Sequence, residues 1–243
     1  LTMNFIFKSI LMAFHLLLAV LLCIAMIIFP RNISRVLIQH WAKRLLSILR
    51  IKITLSGEVL KFLGKDSYLV VSNHISWLDI PVIFSLKPIT FVSATDIKTW
   101  PIIGMLAKIS GAIFVDRDRK SSLIEVIQAM NHHFKNDKQS ICIFPEGITS
   151  NGYQVLPFKS NLFQSAFESN KLLLPLSIKY KENNVITNRT SFHGSTTLFQ
   201  SFKRVAKSNH IEVDVDIGYP VKPTQSRKDL SVKIQEAIAL KIK

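Results

Sequence analysis

The sequence predicts an α/β domain with a mixed, largely parallel sheet flanked by helices, behind an N-terminal membrane-associated helical segment. Two observations carry the domain. From about Ile51 onward, short apolar runs alternate with helix-length amphipathic patterns, and such alternation builds largely parallel sheets. Several of the runs end on polar residues, and open α/β sheets place ligands beyond the carboxyl ends of their strands. The third observation is the stretch Ile10 to Phe29, ILMAFHLLLAVLLCIAMIIF, apolar except for His15. As a helix it is about 30 Å long, the thickness of a bilayer core.

A secretory signal competes for that stretch, since Lys8 precedes it. The run is longer than a usual signal core, and Pro30-Arg31 stand where small cleavage-site residues belong. Membrane anchoring is therefore expected. Arg31, Arg35, Lys43 and Arg44 follow the run, so a full span would leave everything downstream in the cytoplasm. Next, ISRVLIQHWAKRLLSILRIK puts Leu37, Trp41, Leu45 and Ile48 on one helical face among basic residues. That pattern fits an interfacial helix at the headgroups and equally a helix packed on the following domain. Residues 1–50 are expected to hold these two helices, and residues 51–243 the α/β domain.

Within the domain the strand-like runs are SYLVVSN, TFVSA, GAIFVD, SICIF, LLLPLSIKY and HIEVDVDIG. Helices are expected over Ser76 to Leu86, Pro101 to Ile109, Ser122 to Lys135 and Lys159 to Asn170, with a last one starting near Ser226. Ser122 with Glu125 reads as a capping box, and Ser226 with Asp229 as a similar start. Lys181 to Asn209 is polar without a clear period and reads as a loop.

The chain has 243 residues, 48% hydrophobic and 19% charged, enough to bury a full core in one domain. A net charge of +15 favours an anionic partner such as membrane lipid headgroups or a phosphorylated substrate. Nucleic acid is not expected, because the basic residues are scattered and no aromatic cluster accompanies them. Cys23 and Cys142 lie in apolar runs without metal-ligand spacing, and there is no H-E-x-x-H, so no metal is expected. The eight glycines contain no G-x-G, and Tyr153 stands where a P-loop needs lysine after Gly147 and Gly152. No nucleotide cofactor is expected either.

Three strand endings carry reactive groups: Asn73-His74, Asp116-Arg117 and Pro145-Glu146-Gly147. His74 is followed five residues later by Asp79. The same spacing separates His132 from Asp137, where a helix runs out into KNDKQS, and that copy reads as surface. His74 and Asp79 meet only if the chain bends back between them; the carboxylate would then orient the ring as in a Ser-His-Asp triad. No G-x-S-x-G elbow or reactive cysteine supplies a nucleophile. Such a pair suits a substrate that brings its own hydroxyl.

Four segments in order, N-H-I-S-W-L-D (Asn73 to Asp79), G-A-I-F-V-D-R (Gly111 to Arg117), F-P-E-G-I-T-S (Phe144 to Ser150) and L-P-L (Leu174 to Leu176), resemble the motifs of the glycerolipid acyltransferases. The whole chain resembles the lysophosphatidic acid (1-acyl-sn-glycerol-3-phosphate) acyltransferase branch. The resemblance implies transfer of a fatty acyl chain from acyl-CoA or acyl carrier protein to the sn-2 hydroxyl of a lysolipid, giving phosphatidic acid. It makes His74 the general base, Asp79 its partner, and Arg117, Glu146 and Gly147 acceptor contacts. Asn73, Gly111, Phe114, Asp116, Phe144, Pro145, Thr149, Ser150 and Pro175 complete the motifs. The third motif commonly reads E-G-T-R-S; here Ile148 and Thr149 take the Thr-Arg places, and Ala94 or Thr95 falls where many relatives have Lys. That form also resembles enzymes acylating lyso-ornithine lipid or lysophospholipids with larger headgroups. A non-catalytic lipid-binding adaptor is the alternative from another class.

Overall fold

The computed structural model describes residues 2–25, 29–116, 119–224 and 226–242. Two helices come first, α1 (Thr2–Ala25) and α2 (Arg31–Ile48), the second starting after Pro30. The domain follows as β1 (Ile51–Gly57), α3 (Val59–Leu63), β2 (Leu69–Ser72), α4 (Asp79–Leu86) and β3 (Thr90–Ala94). A 3-10 turn (Thr95–Thr99) leads to α5 (Ile103–Ser110), β4 (Ile113–Val115), α6 (Lys120–Asn136), β5 (Ile141–Ile143) and α7 (Gln164–Glu168). The chain closes with β6 (Leu173–Glu182), β7 (Val185–Ile186), α8 (Leu198–Lys207), β8 (Ile211–Ile217) and α9 (Arg227–Ile242).

The sheet runs β1-β8-β6-β2-β5-β3-β4, with β7 folded back on β6. β6 is antiparallel to β8 and β7, and every other pairing is parallel. The mixed, largely parallel sheet is thus as expected. Central β2 and β5 are wholly buried, which is why they read as unbroken apolar runs. Strand pleating sends Val70 to one layer, and Leu69 and Val71 to the other. The first layer holds α1, α2, α4, α5 and α8; the second holds α6, α7 and α9.

Several boundaries differ from expectation. β1, IKITLSG, was not anticipated; its alternate Lys, Thr and Ser mask a strand that pairs in parallel with β8. Lys181 to Asn209 is not a loop throughout, since it contains β7 and α8. The start of α8 carries a full capping box, Thr197 with Gln200. The Ser122–Glu125 box does not form: α6 starts at Lys120, and the Ser122 hydroxyl accepts the Asp116 N–H at 2.9 Å. Lys159 to Asn170 yields only a 3-10 turn (Asn161–Phe163) and α7. The Ser226–Asp229 pair is present, with the Asp229 N–H donating to Ser226 at 3.2 Å.

α2 takes the packed alternative. Ile38, Trp41, Ala42, Leu45 and Leu46 are buried, and the helix lies against α4 and α5. Buried Arg35 donates to the Ser110 carbonyl at 3.1 Å and to Thr90 Oγ1 at 2.9 Å. α1 has two faces. Lys8, Met12, His15, Ala19 and Cys23 are buried, whereas Phe7, Ile10, Phe14, Leu17, Leu21 and Ile24 are exposed at alternating spacings of three and four. The Lys8 ammonium donates to the carbonyls of Ser208 (2.6 Å) and Leu49 (3.5 Å), tying α1 to the ends of α8 and α2.

Candidate active site

The motif residues gather at the carboxyl ends of β2 and β5, which are parallel neighbours. β2 ends because the Asn73 side chain takes over its hydrogen bonding: Nδ2 donates to the Ile178 carbonyl (2.9 Å), and Oδ1 accepts the Ile178 N–H (2.8 Å). The chain then turns through Ile75–Leu78, and α4 begins on Asp79, not on Ser76 as expected. That turn is the bend the pair requires. Asp79 Oδ2 lies 2.8 Å from His74 Nδ1 and also accepts the N–H groups of Ile75 (2.7 Å) and Ser76 (3.0 Å). Its other oxygen accepts the Tyr180 hydroxyl at 2.8 Å. A fully buried carboxylate with four donors is held in place.

Nδ1–H toward Asp79 leaves the His74 Nε2 lone pair available. Among the described residues no hydrogen bond occupies Nε2. The ring stacks on Phe144, with centroids 4.1 Å apart, and Phe91 backs Phe144 at 6.1 Å. Its main chain is gripped at both ends: the N–H donates to Glu146 Oε1 (2.6 Å), and the carbonyl accepts the Ser150 N–H (2.8 Å). The His132–Asp137 copy is not a pair at all, because Asp137 contacts neighbouring His133 at 2.6 Å.

Glu146 was expected to touch the acceptor. It is 3% exposed, and its second oxygen accepts the Leu156 N–H at 2.9 Å, so the structure places it beneath the His74 loop. Burial pushes its carboxyl up to about 7, against the two N–H donors that pull it down and with the Asp79 charge adding to the rise. Gly147 adopts φ +75°, and its N–H closes a turn onto the Phe144 carbonyl at 3.0 Å. That amide is spent locally. Where a β-carbon of residue 147 would sit, the Lys159 ammonium lies 3.0 Å away.

Thr149 Oγ1 donates to the Phe192 carbonyl, and the Ser150 carbonyl accepts the Ser191 hydroxyl. The Pro145 carbonyl accepts the Lys159 N–H. In the second motif, Gly111 caps α5 with φ +84°, and Lys98 Nζ sits 4.8 Å from the Phe114 ring centroid. The Asp116 side chain approaches Arg119 Nε at 4.0 Å. Arg117 lies outside the described residues. Pro175 pairs with Val71 in the sheet, and its carbonyl accepts the Gly218 N–H.

A family model described as Acyltransferase matches residues 25–179. The chain belongs to the acyltransferase family. This acyltransferase is 30% identical to a lyso-ornithine lipid O-acyltransferase of Pseudomonas aeruginosa, over 84% of its own length and 77% of the relative's. It is 28% identical to a 1-acyl-sn-glycerol-3-phosphate acyltransferase of Neisseria gonorrhoeae, over 71% and 68% of the two chains. In fold it is similar to the 1-acyl-sn-glycerophosphate acyltransferase PlsC of Thermotoga maritima, with a TM-score of 0.74 at 18% identity over 99% and 94% of the chains.

Tyr180 and Lys159 were missed by sequence reasoning in this acyltransferase. Tyr180 lies 101 residues from Asp79, and a tyrosine in an apolar strand reads as core. Lys159 sits in PFKSNLFQSA, next to the third motif, where a lone cation among 31 carries no signal.

Proposed function

We propose that this acyltransferase moves a fatty acyl chain from the thioester of acyl-CoA or acyl carrier protein to the free hydroxyl of a lysolipid, with His74 as general base. The observation that carries this is the buried Asp79 carboxylate on His74 Nδ1 with Nε2 left without a protein partner. Nε2 takes the hydroxyl proton as the acceptor oxygen attacks the thioester carbonyl. The C–O bond forms, the C–S bond breaks, and the thiolate leaving group receives that proton from the imidazolium. Asp79 stabilises the imidazolium between the two transfers. Acyl-enzyme chemistry and a cofactor are unnecessary, since donor and acceptor are both substrates. A positioned base contributes about 10² to 10⁴ in rate, and alignment and oxyanion stabilisation supply the rest.

Glu146 and Ser150 act through the His74 main chain and set the angle of the ring. Arg117, from its motif, and Lys159 are the cations for an anionic group on the acceptor. The acceptor expected first was lysophosphatidic acid. The Thr149 hydroxyl, in the place of the usual motif arginine, is turned onto the Phe192 carbonyl, which favours an acceptor without a phosphomonoester, such as lyso-ornithine lipid. Lysophosphatidic acid is the second reading, supported by relatives such as the Neisseria enzyme.

Membrane seating follows from α1. A full span would drag α2 and α8, packed along it with their cations, toward the hydrocarbon. The exposed apolar face instead enters one leaflet, with the domain at the cytoplasmic surface where both thioester donors occur.

The test is acyl transfer by wild type and His74→Ala from labelled acyl-CoA and acyl carrier protein, each offered lyso-ornithine lipid and lysophosphatidic acid. The expected result is His74-dependent label in ornithine lipid. Label in phosphatidic acid instead keeps the mechanism and changes the acceptor. No His74-dependent label with any pair would sink the catalytic reading in favour of a lipid-binding adaptor.

A further inference from the structure

α8 carries more positive charge than the site chemistry uses. A cavity of about 370 Å³ opens along it, walled by Arg189, Thr196, Gln200, Lys203, Arg204 and Lys207. Gln200, Lys203 and Lys207 recur at helical spacing on α8, so they form one stripe, and Thr196 extends the wall just before the helix. Among the described residues no carboxylate lines this cavity. Arg189 is paired behind it with Glu182 at 2.7 Å. Arg204 donates through one terminal nitrogen to the Ser191 carbonyl at 2.5 Å, and its buried Nε finds no acceptor among the described residues. Lys203 and Lys207 are exposed and have no ion-pair partner among the described residues. Cations in the last turn of a helix complement its carbonyl end; that accounts for Arg204 and Lys207 but not for Arg189 or Lys203.

Position gives the stripe its meaning. α8 packs on α1, and the Lys8 ammonium of α1 holds the Ser208 carbonyl directly after Lys207. The other carbonyl held by Lys8 is Leu49, directly before Arg50, which with Lys43 and Lys52 lines a second basic cavity of about 480 Å³. Cations thus cluster around the part of α1 whose opposite face exposes Phe7 and Ile10. Phe199, 68% exposed, stands one turn before Lys203 on α8. An aromatic side chain beside lysines, next to an apolar helix, is the composition of a membrane–water interface.

We propose that the α8 cleft is a binding site for the phosphate of an anionic membrane phospholipid that seats the enzyme at the headgroup layer. Lys203 and Lys207 supply the charge, while Thr196 and Gln200 supply neutral donors. The inference rests on the one-leaflet seating of α1. Phosphate is favoured over an acidic carrier-protein surface because the stripe adjoins the membrane helix.

The full-length protein, wild type or K203Q/K207Q, is diluted from detergent into vesicles of phosphatidylcholine alone or with phosphatidylglycerol, and bound protein is measured by flotation. A charge-matched control, K228Q/K233Q, changes α9 in the opposite layer. Wild type is expected to prefer the anionic vesicles. K203Q/K207Q should bind them roughly 30-fold more weakly, two lysines' worth of surface attraction, with binding to neutral vesicles unchanged and the control like wild type. Equal loss in both double variants, or no loss in K203Q/K207Q, overturns the site. So does unchanged vesicle binding with loss confined to carrier-protein-dependent acyl transfer, which would make the cleft a carrier-protein dock. Wild type binding neutral and anionic vesicles alike removes the cleft but spares α1 as the anchor; wild type floating with neither removes both.

Discussion

At the scale of single residues, the site depends on where carboxylate oxygens spend their lone pairs. Asp79 uses one oxygen for His74 and the turn, and the other for Tyr180, whose buried hydroxyl burial and the Asp79 charge hold well above its ordinary range. Tyr180→Phe removes that donor without changing shape. A hydrogen bond to a charged group is worth about 1.5–3 kcal/mol, so kcat should fall roughly 10- to 100-fold, with the KM for the acyl donor unchanged; steady-state kinetics checks both. Glu146 gives a stability signature. Its folded carboxyl near 7 stands above the ordinary 4.5, so between those values the folded state holds the extra proton. The contribution is fully present below 4.5 and lost as pH rises through 7. Unfolding free energy should therefore fall with rising pH in that window, by up to about 1.4 kcal/mol per unit. Glu146→Gln should flatten that slope while lowering stability by about 1–3 kcal/mol, because an amide cannot accept both main-chain N–H groups. Denaturant titrations at several pH values measure each part.

At the scale of elements, one junction anchors the His74 turn and another seats α5. The Asn73 carboxamide continues the β2–β6 ladder beyond Ser72, and Asn73→Ala would strand a buried carbonyl and N–H of Ile178. The cost should be about 2–4 kcal/mol, seen as a lower unfolding midpoint, with activity lost because the His74 turn is no longer anchored. The second junction is α5 against the Thr95–Thr99 turn. A β-carbon at Gly104 would lie 2.6 Å from the carbonyl oxygens of Ile97 and Lys98. Gly→Ala inside a helix normally gains about 1 kcal/mol. Here the clash is with backbone, so Gly104→Ala should instead lose about 1–3 kcal/mol, measurable as a drop in Tm.

At the scale of the whole molecule, one layer includes the apolar helix α1 and the other does not. α1 is buried on one side and apolar on the other, so its outward aromatics contribute to partitioning and little to folding. Phe7→Ser with Phe14→Ser should leave Tm nearly unchanged. Burying a phenylalanine is worth about 1.5–3 kcal/mol, so vesicle flotation of the double variant should drop by two or more orders of magnitude. Strong flotation of that variant would show that α1 is not the anchor.

Sequence by itself determined the α/β class, the apolar N-terminal helix and the residues of the four motifs, because periodicity and strand-end chemistry are local properties. The His74–Asp79 pair was legible as a candidate, since five residues can close a turn. Tertiary structure decided what local spacing cannot carry. It chose Asp79 over the identical spacing at His132, because only there do two main-chain N–H groups and a tyrosine from β6 converge on the carboxylate. It put the Glu146 carboxylate under the His74 turn, where the main-chain N–H groups of His74 and Leu156 occupy its oxygens. It also turned Lys181 to Asn209 from an apparent loop into β7 and α8, whose buried face is short and whose polar face is long. Contacts across a hundred residues of chain depend on how strands are ordered in the sheet, and that order is written in no single segment.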